Sequence, residues 1–296
     1  MANFTLKQLR YFEALAKHGH FGRAADYCAI SQPALSMQIK ELEDALGSPL
    51  FERNAREVRL TGFGEEFSLR VRDILRSVDE LGEMVLSARG RLAGRLRIGV
   101  IPTIAPYLLP KLIRDLNDRY PGVDLHVRET QTANLLSDLH EGRLDTAILA
   151  LPISDPALHE LTLFDEEFVL VRPRADAGKP VPNPERLSEM RLLLLEEGHC
   201  FRDQALSLCN IQPSVPKELF DGSSLTTLVQ MVGAGLGVTL IPEMSVPLET
   251  RFAEVSVDRF PTATPARTIG MIWRKSSPLA PHLADMADVV RHSAGH

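Results

Sequence analysis

Ser31-Gln32-Pro33, followed by Leu35, Ile39, Leu42 and Leu46 at helical spacing, dictates a capped amphipathic helix. A serine hydroxyl satisfies an orphan amide of a first turn, and proline is tolerated in that turn but not further in. Upstream, Leu6, Leu9, Phe12, Leu15 and Ala16 recur at helical spacing, Gly19 breaks the run, and Gly22 to Cys28 makes a second short helix. Its Ala24 and Ala25 allow close approach of the third helix, and Ala29 and Ile30 leave only a tight connection between them. The order is that of a helix-turn-helix. Its third helix carries Ser31, Gln32, Pro33, Ala34, Ser36, Gln38 and Lys40 at its start and on its outer face. Amides read base edges while hydroxyls and lysine hold phosphates, so this surface suits the major groove of double-stranded DNA.

Gly47 ends that helix, and Pro49, Leu50 and Phe51 lead into Arg53, Arg56 and Arg59 at every third position before Leu60 and Thr61. Placed directly after a helix-turn-helix, this reads as a basic hairpin, or wing, along phosphates. Taken singly, each arginine reads equally as part of a solvated loop. From Thr61 to about Ala88 no proline occurs, and Phe67, Val71, Ile74, Val78, Leu81 and Val85 alternate steps of four and three, a heptad seam. A helix roughly 40 Å long with so narrow a stripe pairs with a second copy, which presents two recognition helices to a two-fold site. Ser87 to Arg95, with Gly90 and Gly94, reads as a linker. Charge adds little: residues 1–97 carry a net +2 and the remainder a net −8, within a total of −6.

With 296 residues, 44% of them hydrophobic and 24% charged, the chain can bury more than one core. Apolar stretches such as Ala147 to Leu151 fall far below the roughly 18 residues of a membrane span. Met1 to Arg10 contains no apolar core of a secretory signal, so the expected location is cytoplasmic and no membrane partner is expected. Three cysteines make no disulfide framework.

The run AADYCAISQPALSMQIKELEDALGSPLFER and the LTGFGE after it resemble the LysR-type transcriptional regulators, and the resemblance covers essentially the whole chain. It implies double-stranded DNA, further copies of the chain (a homodimer or homotetramer) and RNA polymerase as partners. Met37 stands where that family often has arginine. Cys28, inside the helix-turn-helix, reads as a small buried hydrophobe.

Beyond the linker, strands alternate with helices. Leu96 to Ile101, Val123 to Val127 and Thr146 to Leu151 read as strands, Tyr107 to Arg119 and Leu135 to Leu139 as helical. A second set comprises Glu167 to Val171, Leu192 to Leu195, a helix near Arg202, Leu225 to Gly233 and Gly237 to Ile241, before a strand at Arg267 to Trp273 and a helix at Pro281 to Arg291. The expected organisation is an all-α winged helix-turn-helix domain (1–61), a dimerisation helix and hinge (62–94), and an α/β periplasmic-binding-protein-like sensor of two lobes (95–296). Lobe I takes about 95–165 and 268–296, lobe II about 166–267. An effector would act in the cleft between them.

No nucleophile elbow, Walker loop or zinc-protease motif is present, so neither an enzyme nor a cofactor is expected. What stands out is Glu197-Gly198-His199-Cys200-Phe201-Arg202-Asp203-Gln204, with Cys209 nine positions beyond Cys200. His199, Arg202 and a nearby helix start would each favour a thiolate at Cys200, the species that attacks a peroxide O–O bond, and Cys209 offers a second thiol for the resulting sulfenic acid. Two inert cysteines remain open on these residues alone, whereas two cysteines and one histidine make a poor zinc set.

The phrase GHCFRDQA closely resembles the OxyR-type peroxide sensors, a branch of the LysR-type family, and the likeness extends to GVIPTIAPYLLP, RETQT, DEEF and RTIGMIWR. It implies that Cys200 is the peroxidatic cysteine and Cys209 its disulfide partner, with Thr103, Thr132, His199, Arg202, Asp203 and Arg267 shaping a pocket for hydrogen peroxide. Leu219 stands before Phe220 where some members carry histidine. Two other functions fit less of the sequence: a LysR-type regulator sensing a small metabolite in the cleft, and a thiol peroxidase that binds DNA.

Overall fold

The computed structural model describes residues 4–53, 58–87, 92, 94–183, 187, 190–208, 221–261 and 265–295. The chain divides into two compact units, Met1–Val85 and Leu86–His296.

In the first unit, α1 (Leu6–His18), α2 (Phe21–Tyr27) and α3 (Gln32–Leu46) enclose one core. Thr5 starts α1 through a capping box with Gln8. The Ser31 hydroxyl accepts from the Ala34 amide at 3.3 Å, and Gly47, at φ 69°, closes α3. Between α2 and α3 the chain turns through Ala29 in the left-handed region, at φ 53°. Phe12, with no exposed surface, is the centre of the core, its ring 5.3 Å from that of Phe51 and 5.2 Å from that of Phe67. The wing is an antiparallel pair, β1 (Phe51–Arg53) and β2 (Val58–Leu60), so this domain contains a small sheet and is not all-α.

The long helix α4 (Gly62–Ser87) begins where the Thr61 hydroxyl accepts from the Gly64 amide and donates to the Pro49 carbonyl, both at 2.9 Å. A Cβ at Gly64 would lie 2.2 Å from the Leu50 carbonyl oxygen, so only glycine lets α4 press against the chain entering the wing. The heptad seam serves two purposes. Val71, with Leu75 from outside the seam, is buried in the core of this first unit, whereas Ile74 and Leu81 are 43% and 61% exposed.

The second unit contains, in order, β3 (Gly94–Val100), α5 (Ala105–Arg119), β4 (Val123–Glu129), α6 (Thr132–His140), β5 (Thr146–Leu151), β6 (Leu158–Pro173), β7 (Leu194–Leu195), α7 (Cys200–Leu208) and β8 (Asp221–Gly222). After these come α8 (Leu225–Gly233), β9 (Thr239–Pro242), α9 (Val246–Glu249), β10 (Val255–Asp258), β11 (Ala266–Arg274) and α10 (Ala280–Ala294). The main sheet runs β10-β6-β11-β5-β3-β4, with β9 also on β6. β3 pairs parallel to β4 and β5, and β11 lies antiparallel between β5 and β6. One core packs β3, β5, β11, α5 and α10 together. Another gathers Phe168 to Val171 of β6 with β7, α7, α8 and β9.

β6 belongs to both. Leu158 to Glu167 pair with β11, and Phe168 to Pro173 pair with β9 and β10, without a break in the strand. The strand expected at Glu167 to Val171 therefore begins nine residues earlier. Its first half mixes apolar with polar and acidic residues without a clean period of two, a weaker signal than the apolar run Phe168 to Val171. β10 was not expected, being four residues long and half-exposed. Around the glycines at 233–237, α8 ends at Gly233, Gly235 takes φ 81°, and a Cβ at Gly237 would lie 2.2 Å from the Arg191 carbonyl oxygen. They form a helix end and a tight turn, as read from the sequence.

Candidate functional site

Cys200 is the first residue of α7. The neighbouring Phe201, Ala205 and Leu206 are buried in the second core, yet the half-buried Cys200 packs against the first. The cysteine thus sits at the seam of the two cores. Facing it are the chain leaving β3, which carries Thr103, and the start of α6 after β4, which carries Gln131 and Thr132. The site lies beyond the carboxyl ends of parallel strands, where loops and helix N-termini converge in open α/β sheets. Thr103, Gln131, Thr132, His199 and Cys200 line a narrow recess there, walled by Ile101, Pro102, Gly198 and Phe201.

Two polar features mark this recess. The Thr132 hydroxyl oxygen is buried and has no hydrogen-bond partner among the described residues. Such a group costs about 1–3 kcal/mol unless a guest or water satisfies it. Gly198, at φ 93°, brings the backbone against Gln131: a Cβ there would lie 2.5 Å from the Gln131 side-chain oxygen. The same glutamine donates to the Glu197 carbonyl at 3.4 Å.

Behind Thr103 stands a buried ion pair. Arg267 donates through Nη1 to Thr103 Oγ1 at 2.8 Å, through Nη2 to the Thr103 carbonyl at 3.2 Å, and through Nε to Glu166 Oε2 at 2.8 Å. Its guanidinium lies 5.6 Å from the ring centre of Phe201 and 6.0 Å from that of Phe168. Tyr107 of α5 donates to Glu249 of α9 at 2.6 Å, a second polar link between the two cores. Burial and the nearby Glu249 push the Tyr107 hydroxyl up, so it remains a donor.

Of the expected pocket residues, Thr103, Thr132 and His199 meet Cys200 at the recess, and Arg267 reaches it only by holding Thr103. Arg202 and Asp203 do not line it. Arg202 donates to the Leu195 carbonyl at 2.8 Å, and Asp203 lies on the exposed side of α7. Helix geometry accounts for Arg202, which two places along points about 200° around the axis from Cys200. Cys209 lies outside the described residues.

The enclosure of His199 bears on its charge. Burial disfavours its charged form and lowers its pKa, only partly opposed by Glu196 at 3.9 Å. The surroundings of the imidazole beside the thiol thus favour its neutral form. This carries a stability signature. The unfolded chain takes up a proton near the ordinary histidine value of about 6.5, where the folded state resists it, so stability is complete above that pH and falls as pH drops below it. Denaturation midpoints between pH 7.5 and 5.5 are expected to fall less in His199→Gln than in the parent; equal losses would locate the acid sensitivity elsewhere.

On the face expected to meet DNA, Ser31, Gln32, Pro33 and Lys40 are exposed, and Ala34, Ser36 and Gln38 are half-buried. Gln38 donates to Glu41 at 2.8 Å, so its amide is already engaged in the free protein. Glu43 accepts from the Leu50 and Phe51 amides at 2.8 and 3.2 Å, which ties the end of α3 to the wing. Arg59 is exposed on β2, whereas the Arg53 side chain and Arg56 lie outside the described residues. Cys28 is half-buried against the core of the helix-turn-helix unit, and burial pushes its thiol up.

Sequence reasoning did not single out Gln131, Glu166 or Gly198 as site residues. The signal was present, since they lie in the RETQT, DEEF and GHC phrases.

Two family descriptions match the chain: a bacterial regulatory helix-turn-helix protein of the lysR family over residues 6–65, and the LysR substrate binding domain over residues 89–295. The chain belongs to the LysR family of bacterial regulators, and within it to the OxyR-type proteins. A probable hydrogen peroxide-inducible genes activator of Streptomyces viridosporus is 43% identical, the match covering 98% of this chain and 94% of that one. The DNA-binding transcriptional dual regulator OxyR of Escherichia coli K12 is 41% identical over 97% of this chain and 95% of its own. Among solved structures, a cysteine variant of full-length OxyR from Pseudomonas aeruginosa superposes with a TM-score of 0.78 at 38% identity, covering 98% of this chain and 95% of that one. A hydrogen peroxide-bound cysteine variant of Corynebacterium glutamicum OxyR gives 0.68 at 36% identity, covering 98% and 92%.

Proposed function

We propose that this protein is a DNA-binding transcriptional regulator that senses hydrogen peroxide at Cys200, passes the oxidation to Cys209 as a disulfide, and thereby controls oxidative-stress genes. The observation that carries the reading is the recess itself: a cysteine at a helix start, facing two threonine hydroxyls of which one is buried and has no partner among the described residues. A small guest with both donors and acceptors satisfies that arrangement, and hydrogen peroxide is one. The Cys200 sulfur, as thiolate, attacks one peroxide oxygen; the S–O bond forms as the O–O bond breaks, and the leaving hydroxide takes the proton given up by the thiol. The products are Cys200 sulfenic acid and water. Attack by the Cys209 thiol then forms the S–S bond and releases a second water.

The event is stoichiometric, one oxidation per protomer, which separates a regulator from a thiol peroxidase. The exposed stretch of the α4 seam supports self-pairing, with RNA polymerase as the further partner of an activator in the cytoplasm.

Oxidation of the intact protein by sub-stoichiometric peroxide, followed by mass spectrometry, tests the chemistry: a Cys200–Cys209 linkage is expected, and its absence with Cys200 still reduced would overturn the reading. For the DNA face, Gln32→Ala is expected to weaken the specific site selectively. Arg53→Ala should weaken all sequences and lower the salt slope by about one unit. Equal losses on specific and random duplexes for Gln32→Ala, measured by titration, would remove its base-reading role.

A further inference from the structure

We infer that Glu166, acting through Arg267, fixes the direction in which Thr103 donates its hydroxyl proton, and is a positioning residue for oxidation of Cys200. The inference rests on the peroxide-sensing reading above.

A guanidinium carries donors only. Because Arg267 Nη1 donates to Thr103 Oγ1 at 2.8 Å, the threonine proton cannot turn back toward the arginine. Thr103 lines the recess that holds Cys200, so that proton is available to a guest bound there. Donated to the peroxide oxygen that departs, it stabilises the negative charge developing as the O–O bond breaks; no proton needs to leave Thr103. Thr132 faces the same recess with no comparable partner, which leaves its hydroxyl free to turn either way.

Arg267 is itself held. Glu166 Oε2 receives Nε at 2.8 Å and lies 2.7 Å from Nη2, and both side chains are almost wholly enclosed, at 1% and 4% exposed. The second Glu166 oxygen accepts from the Met244 amide at 3.3 Å. The guanidinium therefore has a fixed orientation in its plane, with one donor of Nη1 and one of Nη2 directed to Thr103. Without the carboxylate, the arginine charge is buried and uncompensated and the fork is no longer aimed. Nothing in this chain of contacts requires Glu166 to touch peroxide or sulfur.

The test uses the full chain in a Cys209→Ser background, so that oxidation stops at the Cys200 sulfenate. Two probes are compared on the Cys200 peptide by mass spectrometry: hydrogen peroxide, and iodoacetamide, whose iodide departs without needing a hydrogen-bond donor. Glu166→Gln is expected to slow the peroxide reaction roughly tenfold, the worth of about one hydrogen bond, while alkylation stays within about twofold. Thr103→Val should slow peroxide to a similar degree, Thr103→Ser should restore it, and Thr103→Val with Glu166→Gln should be no slower than Thr103→Val alone. Should Glu166→Gln fail to fold, Glu166→Asp keeps the charge balance but shortens the reach, and is expected to slow peroxide severalfold with alkylation unchanged.

Equal slowing of both probes would make Glu166 a structural residue only, and losses that multiply in the double variant would uncouple it from Thr103. Either overturns the inference. A parent chain whose Cys200 ignores peroxide would instead overturn the sensing reading, and this inference with it.

Discussion

Cys200→Ser is expected to abolish every peroxide-dependent change in the DNA footprint while leaving binding of the reduced protein intact. Serine keeps the size of the side chain at the start of α7 but cannot form an S–O bond with peroxide under mild conditions. The companion Cys209→Ser is expected to stop one step later, with a sulfenate at Cys200 and a weakened or altered footprint response. The reason for two distinct outcomes lies in the backbone. The helix α7 runs from Cys200 to Leu208. If Cys209 continued it, nine residues would separate the two Cα atoms by about 13 Å of rise and place them on opposite faces. A disulfide tolerates at most about 7 Å. Joining the two cysteines therefore requires α7 to unwind, and α7 contributes Phe201, Ala205 and Leu206 to the second core. Sulfenate formation alone makes no such demand. Footprinting with and without peroxide decides the matter: a normal shift in Cys200→Ser would refute cysteine-based sensing and favour a metabolite in the cleft.

Phe12→Ala is expected to eliminate DNA binding and leave Cys200 oxidation at the parental rate. Phe12 is wholly buried and its ring touches both Phe51 of the wing and Phe67 of the long helix, so one truncation loosens all three parts of the DNA-binding unit. Removing a buried phenylalanine costs about 3–5 kcal/mol through lost burial and the cavity left behind. Domains are stable by only about 5–15 kcal/mol, so the unit loses much of its margin. The peroxide recess is built entirely from residues of the second unit. Thermal unfolding should show the earlier melting of one transition with the other in place. Retained operator affinity, or a parallel loss of Cys200 reactivity, would contradict this division.

Much of the first unit was legible because its signals are local. Ser31 caps a helix through an atom three residues away, and Leu35, Ile39 and Leu42 repeat at the helical period. The peroxide recess was legible in part. Thr103, Thr132, His199 and Cys200 converge, although they come from three separate stretches of chain, because the family phrases mark them. The failures arise where tertiary structure overrides neighbourhood. Arg202 is adjacent to Cys200 in sequence but turned away by the helix, while Glu166 and Arg267, 101 positions apart, form the contact that matters to Thr103. His199 is expected from its place in the sequence to favour a thiolate, whereas its enclosure, invisible in the sequence, disfavours the charged imidazole. The early start of β6 is hidden in the sequence because Leu158 to Glu167 has no clean period of two, its pairing with β11 shifting register partway along.

The unbroken passage of β6 from one core to the other has a consequence for engineering. A recombinant sensor is often made by grafting one lobe onto a foreign partner, which presumes that the lobes join through expendable loops. Here a cut at either end of the second core must be made at Phe168, inside a strand whose amide donates to the Pro265 carbonyl at 2.8 Å, and beside Ala266, where the returning chain enters β11. The two lobes share a beam. They are expected to resist exchange as separate cassettes, and chimaeras should tolerate swapped α7 segments far better than swapped lobes.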